Sequence, residues 1–142
     1  MNKKTEDLLN QLKLENCTYN EYLCNNQAYF LNNDIASFWK SVIESSNMKK
    51  TDIINKADIG YTFFYDILKG KKHPSRDMLI KILIALSCEI DIFQEALRIY
   101  EWAALYPKIK RDSIIIYAVN HKYSLSQTDE LLLKNGEKAL KN

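Results

Sequence analysis

Residues 49–75 read KKTDIINKADIGYTFFYDILKGKKHPS. The stretch divides into two short helical segments, Thr51–Ala57 and Tyr61–Lys69, with only Asp58-Ile59-Gly60 between them. Gly70 closes the second segment. It stands where a residue just past a helix end takes positive φ, which glycine does without strain. His73-Pro74-Ser75 is an extended loop. Ser75 is a natural N-cap, and Asp77 falls in the first turn of the next helix, where the helix dipole favours an anion.

Working outward, the same signals repeat. Met78, Leu79, Ile82, Leu83 and Leu86 form the buried face of the following helix. Asp91 is expected to cap another, with Phe93, Ala96, Leu97, Tyr100 and Ala104 on one face and Pro107 ending it. Arg111–His121 reads as a strongly apolar helix through Ile114, Ile115, Tyr117 and Ala118. Ser126, three residues before Asp129, caps a last helix that stops at Gly136. Toward the N-terminus, Ile35, Phe38, Trp39, Val42, Ile43 and Ser46 follow the i, i+3, i+4 rule after an Asn32-Asn33-Asp34 turn cluster. Thr18 and Glu21 have capping-box spacing, ahead of Tyr19, Tyr22, Leu23 and Phe30 as apolar positions. Residues 5–15 carry Leu8, Leu9 and Leu12 at helical spacing. About eight helices result, with no convincing strand.

Composition agrees. The 142 residues hold only 3 Gly and 2 Pro, too few for the tight turns of an all-β fold. With 46% hydrophobic and 27% charged residues the chain can bury a core and is not a disordered tail. No apolar run approaches a membrane span, and the first residues lack the apolar stretch of a signal peptide, so a cytoplasmic protein with no membrane partner is expected. Three cysteines, Cys17, Cys24 and Cys88, have no CxxC spacing; they imply neither a disulfide frame nor a zinc site. Net charge is +2, so a nucleic-acid partner must be met by a local patch. Positive charge gathers at Lys49-Lys50, at Lys69-Gly70-Lys71-Lys72-His73 and at Lys108-Ile109-Lys110-Arg111.

Two short helices joined by a three-residue turn are the signature of a helix-turn-helix. Residues 35–93 resemble the lambda-repressor-like, XRE-type helix-turn-helix family. The match runs through Met48, Ile53, Ile54, Ala57, Asp58, Ile59, Phe64 and Ile67, then Gly70, Lys71-Lys72, Pro74 and the Leu79–Leu86 helix. Gly70-Lys71-Lys72-His73-Pro74-Ser75 after a short helix is its most specific part. Pro74-Ser75-Arg76-Asp77, and Leu105-Tyr106-Pro107 followed by Arg111-Asp112, look like a subgroup of small XRE-type proteins in Gram-positive bacteria. The resemblance implies an all-α, five-helix core whose second and third helices bind DNA, with an N-terminal helical extension over 1–34 and a C-terminal one over 94–142 packed on the core. It further implies a bacterial transcriptional regulator whose partner is double-stranded DNA, bound as a homodimer. Trp102, Tyr106 and Tyr123 are candidate dimer aromatics. The chain departs from the family pattern at Lys49, Lys50, Asp58, Gly60 and Leu68, where Ser, Gln, Gly, Ser and an acidic residue are usual.

By register, Lys50 at the start of the first segment and Tyr61, Thr62, Phe63, Tyr65, Asp66 and Lys69 on the second face solvent, followed by Lys71 and Lys72. The four lysines suit phosphates, and Thr62 a base edge or thymine methyl. Tyr61, Tyr65 and Asp66 complete the DNA-facing set, although Asp66 repels phosphate. No Arg, Asn or Gln stands there for bidentate base contacts. The aromatics Tyr61, Phe63 and Tyr65 therefore leave two further readings: a protein-binding face, or a face covered by the chain's own terminal helices.

Nothing points to an enzyme, a cofactor or a metal. His73 and His121 lack ligand-spaced partners; His73, beside lysines, reads as a phosphate contact or plain surface. Arg111-Asp112 reads as an ion pair at a helix start. Leu125-Ser126-Gln127-Thr128-Asp129 resembles the opening of a second copy of the motif, but reads better as a closing helix on the core.

Overall fold

The computed structural model describes residues 5–27 and 35–141, and among them the chain is all-α. Nine helices follow one another: α1 (Thr5–Leu12), α2 (Tyr19–Asn26), α3 (Ile35–Ser46), α4 (Lys50–Ala57), α5 (Tyr61–Leu68), α6 (Arg76–Ala85), α7 (Ile90–Ile99), α8 (Lys110–Asn120) and α9 (Leu125–Lys134). None is long and apolar enough to cross a membrane. Phe30 and the Asn32-Asn33-Asp34 cluster lie outside the described residues.

α6 is the axis of the structure. It packs against α4, α7 and α9, and every residue from Leu79 to Leu86 is buried. A segment enclosed on all sides must be apolar all round, and α6 from Met78 to Ala85 is, apart from Lys81. One core extends from Phe38 and Trp39 on α3 through Ile53, Phe64, Leu79, Leu83, Phe93 and Leu97 to Ile115, Leu132 and Leu140. The Trp39 indole N–H donates to the Tyr100 hydroxyl at 2.6 Å, which satisfies a buried donor across the core. α1 and α2 pack on each other, and the Asn26 amide donates to Gln11 at 2.7 Å.

Thr18 and Ser75 cap α2 and α6 as expected, each hydroxyl accepting the amide three residues on. Ends of helices use one device throughout. Asn47, Asp58, Gly70, Ser87, Glu101, Lys122 and Gly136, after α3 to α9 in turn, all have positive φ. Only two of the seven are glycine, which is how so helical a chain manages with so few. Two boundaries are corrected by these ends. α7 stops at Ile99 and not at Ala104, because Glu101 turns left-handed (φ 60°) and the Trp102 amide closes back on Leu97 O at 2.8 Å. α7 is also capped two residues earlier than Asp91: Glu89, in extended backbone, is its N-cap, and Asp91 lies in the first turn. α9 is capped by Ser124, not Ser126. Ser124 and Gln127 form a reciprocal capping box, which sets Leu125, Thr128 and Leu132 inward.

Arg111 and Asp112 do not pair with each other. Arg111 donates twice to Asp77, at 2.9 and 3.0 Å, and Arg76 donates twice to Asp112, at 3.0 Å each. The Arg-Asp dipeptide that opens α6 thus meets the Arg-Asp dipeptide that opens α8 in two crossed bidentate pairs. Arg76 also holds the Ala103 and Ala104 carbonyls, and Asp112 accepts the Tyr106 amide. Arg111 holds the Lys138 carbonyl, and Asp129 accepts the Leu140 and Lys141 amides.

Asp112 is 2% exposed, so Asp112→Ala strands Arg76 and the Tyr106 amide together. It should lower unfolding stability by about 3 kcal/mol in urea titrations. Lys122→Ala, which breaks the open Lys122–Glu89 pair, should cost no more than about 0.5 kcal/mol. Glu101→Gly removes left-handed strain and should stabilise by about 1 kcal/mol in the same assay.

Candidate nucleic-acid interface

α4 and α5 are joined by Asp58-Ile59-Gly60. Asp58 takes φ 54°, and its amide turns back to the carbonyls of Asn55 and Ile54. Ile59 donates to Ile54 O at 3.3 Å. Ile53, Ile54, Ala57, Phe64 and Ile67 bury the inner faces of the pair. Neither helix start carries a side-chain cap: Lys49 precedes α4 and Gly60 precedes α5. The Asp52 and Ile53 amides of α4 turn back to Lys49 O at 3.0 and 3.1 Å, and the Phe64 amide of α5 donates to Gly60 O at 3.0 Å, so the amides open to an outside acceptor are those ahead of Asp52 and Phe64.

The outer surface departs in part from the register reading. Lys50, Thr62, Lys69, Lys71 and Lys72 are exposed, and Tyr61 is 61% exposed. Phe63 is not solvent-facing. It is half-buried and packs on the core with Tyr65 and Leu68. Asp66 is also half-buried. The expected row of three free aromatics is thus one exposed ring, Tyr61, leaning on a half-covered one. The Tyr61 and Tyr65 centroids lie 4.7 Å apart at 47°. Lys50 Nζ sits 5.5 Å from the centre of the Tyr65 ring, so its stem is folded over an aromatic face that favours a cation. The neighbouring Tyr65 hydroxyl raises the Tyr61 phenol above its ordinary range.

Past α5 the loop doubles back. The Lys71 and Lys72 amides both donate to Asp66 O, at 2.9 and 3.3 Å, and Gly70 (φ 78°) makes the reversal possible. This brings both lysines alongside the last turn of α5. His73 is a brace. Its ring lies against Tyr100 and Trp102, and Nε2 is bonded to the Tyr100 carbonyl at 3.0 Å. Trp102 in turn donates to Pro74 O at 3.0 Å. The sequence could not reveal this, because the loop's partners lie nearly thirty residues downstream, past a helix end that no glycine marks. Lys141 pairs with Asp58 at 3.3 Å, so the C-terminal tail reaches the turn of the helix pair. Trp102 and Tyr106 are exposed, while Tyr123 is half-buried against Tyr117.

All four lysines named from the sequence are exposed and free of ion pairs among the described residues. No group of three or more His, Cys, Asp or Glu residues is placed to hold a metal among the described residues. No known protein family, curated protein or solved structure matches the chain.

Cys17, Cys24 and Cys88 are free thiols. Burial pushes Cys88 up to about 11. It is therefore protonated and unreactive at neutral pH. The folded protein binds this proton more tightly than the unfolded chain does. Stability from Cys88 is thus full below about pH 9 and lost as pH rises toward 11. In the folded protein, iodoacetamide at pH 8 should label the exposed Cys24 and leave Cys88 untouched. Cys88→Ala should flatten the fall in stability between pH 9 and 11 seen by thermal denaturation.

Proposed function

We propose that the chain is a DNA-binding protein of the XRE-type helix-turn-helix kind, a bacterial cytoplasmic transcriptional regulator. In this reading α4 and α5 are the DNA-binding pair. The observation that carries it is the set of exposed, unpaired lysines along α5, with Lys50 over Tyr65 and Lys69, Lys71 and Lys72 at its last turn. α5 presents Tyr61 and Thr62 from its first turn, where a groove-lying helix meets base edges. Thr62 suits a thymine methyl, and Tyr61 a sugar or a base edge through its neutral hydroxyl. The uncapped amides of α4, with Lys50 beside them, suit one backbone phosphate. Lys69, Lys71 and Lys72 suit a neighbouring one. Asp66, set back from the surface, is positioned to repel phosphate less than an exposed carboxylate would. A homodimer completes the reading, because two such helices must lie about 34 Å apart to share one DNA face.

A second reading, in which the same face recognises a protein, rests on the exposed Tyr61 leaning at a tilt on Tyr65. It is weaker, because Phe63 is turned into the core and one exposed ring is less than a hot-spot cluster.

Selection of bound duplexes from a random pool should enrich a half-site. With four lysines on phosphates, log affinity should fall with log salt at a slope of roughly −3 to −4. Lys71→Glu with Lys72→Glu should abolish duplex binding by gel shift or fluorescence anisotropy. Lys71→Ala with Lys72→Ala should lower the slope by about 2. Tyr61→Ala should weaken the enriched site more than random duplex. If no duplex is enriched and Tyr61→Ala releases a specific protein partner, the second reading replaces the first.

A further inference from the structure

Lys81 sits against its surroundings. It lies midway along α6 between Ile80 and Ile82, and it is only 5% exposed. Among the described residues its ammonium has no ion pair and no hydrogen bond. No side-chain nitrogen among the described residues is buried without a partner, so the Lys81 stem is buried while its ammonium reaches solvent. Lys81 lines a cleft of about 380 Å³. The first turn of α6 forms one wall of this cleft, and Lys138 and Leu140 of the tail form the other.

The charges around the cleft sort into committed and free. Arg76 is committed to Asp112 and to the Ala103 and Ala104 carbonyls. Both Asp77 oxygens take Arg111, so that carboxylate is neutralised. Lys81 and Lys138 remain free. The start of α6, a helix of 10 residues, faces them. Ser75 Oγ takes the Met78 amide and Ser75 O takes the Leu79 amide, which leaves the Arg76 and Asp77 amides open at the positive helix end. Arg111 fixes both walls at once, through Asp77 on one side and the Lys138 and Ala139 carbonyls on the other. The site is built before anything enters it.

We propose that this cleft binds a phosphoryl group, held by Lys81, Lys138 and the open amides of α6. Two ammonium groups and two amides offer more donors than a carboxylate has oxygens to accept, and they match a tetrahedral oxyanion. The cleft is larger than a bare phosphate ion, so the group belongs to a larger molecule. The proposal is independent of the DNA reading of α4 and α5.

The test is titration of the full chain with inorganic phosphate at constant ionic strength, followed by amide NMR. Saturable shifts at Asp77, Lys81 and Lys138 are expected. Lys81→Met, whose fold is checked by circular dichroism, should bind phosphate at least about tenfold more weakly through loss of one charge-assisted bond. Lys138→Met, at an exposed position that leaves the core intact, should weaken it likewise and decides the matter alone if Lys81→Met does not fold. Affinity unchanged in the folded variants, or shifts that rise linearly without saturating, overturns the proposal. Titration with random-sequence duplex separates the sources. Weaker duplex binding by the variants, with free phosphate competing, assigns the site to a backbone phosphate. Duplex binding that is absent or unaltered, with phosphate binding lost, assigns it to a small phosphorylated molecule.

Discussion

Two arginines and two aspartates decide how the two halves of the described structure meet. Arg76-Asp77 opens α6 and Arg111-Asp112 opens α8, and each arginine takes the other helix's aspartate in a bidentate pair. Each aspartate sits in the first turn of its own helix, where the dipole already favours an anion. The crossed arrangement therefore sets two helix starts side by side without leaving two positive ends opposed. It also ties down backbone that has no secondary structure of its own. The 103–106 segment hangs on Arg76 and Asp112, and the tail hangs on Arg111 and Asp129. These four side chains add directional bonds to helices whose apolar faces already share one core with α6.

Much of this was legible in sequence, and the reasons differ by element. Thr18 and Ser75 are local devices: a hydroxyl and an amide three residues apart need nothing distant, so reading them as caps succeeds. Ser124 and Ser126 are two residues apart and each has a suitable partner three residues on. Only the inward placement of Leu125, Thr128 and Leu132 decides between them, and that is a tertiary fact. The end of α7 was misplaced for a related reason. Glutamate is a poor left-handed residue, and Glu101 is held there by the closing bond from Trp102 and the core seat of Tyr100. The dipeptides 76–77 and 111–112 were visible as a pattern, but a dipeptide contains its own plausible partner. Nothing short of the fold shows that the partners are exchanged.

The surface of α4 and α5 was legible in its charges and less so in its aromatics. A lysine on a short helix flanked by buried positions has one direction to go, and Lys50, Lys69, Lys71 and Lys72 all take it. Phe63 had two. On a helix of 8 residues with Phe64 and Ile67 inward, the neighbouring phenylalanine can still roll toward the core, and it does. Periodicity puts Lys81 between two core positions, where a lysine reads as an interruption of an apolar run. Its burial becomes informative only when the tail, folded back along α6, shows that the stem has a cleft to end in.

The tail also bears on how a nearly neutral chain could hold a polyanion. Net charge of +2 gives little attraction beyond about 10 Å at physiological salt, so any grip depends on what lies within the contact itself. There the unfavourable charges are Asp52, Asp58 and Asp66. Asp58 is paired by Lys141 at 3.3 Å, and Asp66 is half-buried beneath the loop that carries Lys71 and Lys72. Asp52 lies in the first turn of α4, where it offsets part of the positive helix end. Lys50 is laid over Tyr65, which limits its freedom before contact and so lowers the entropy lost on contact. The C-terminal residues thus do more than extend the core. By way of Asp129 they hold Lys141 at the turn, where it adds to the positive charge that Lys50, Lys69, Lys71 and Lys72 already give the surface around α5.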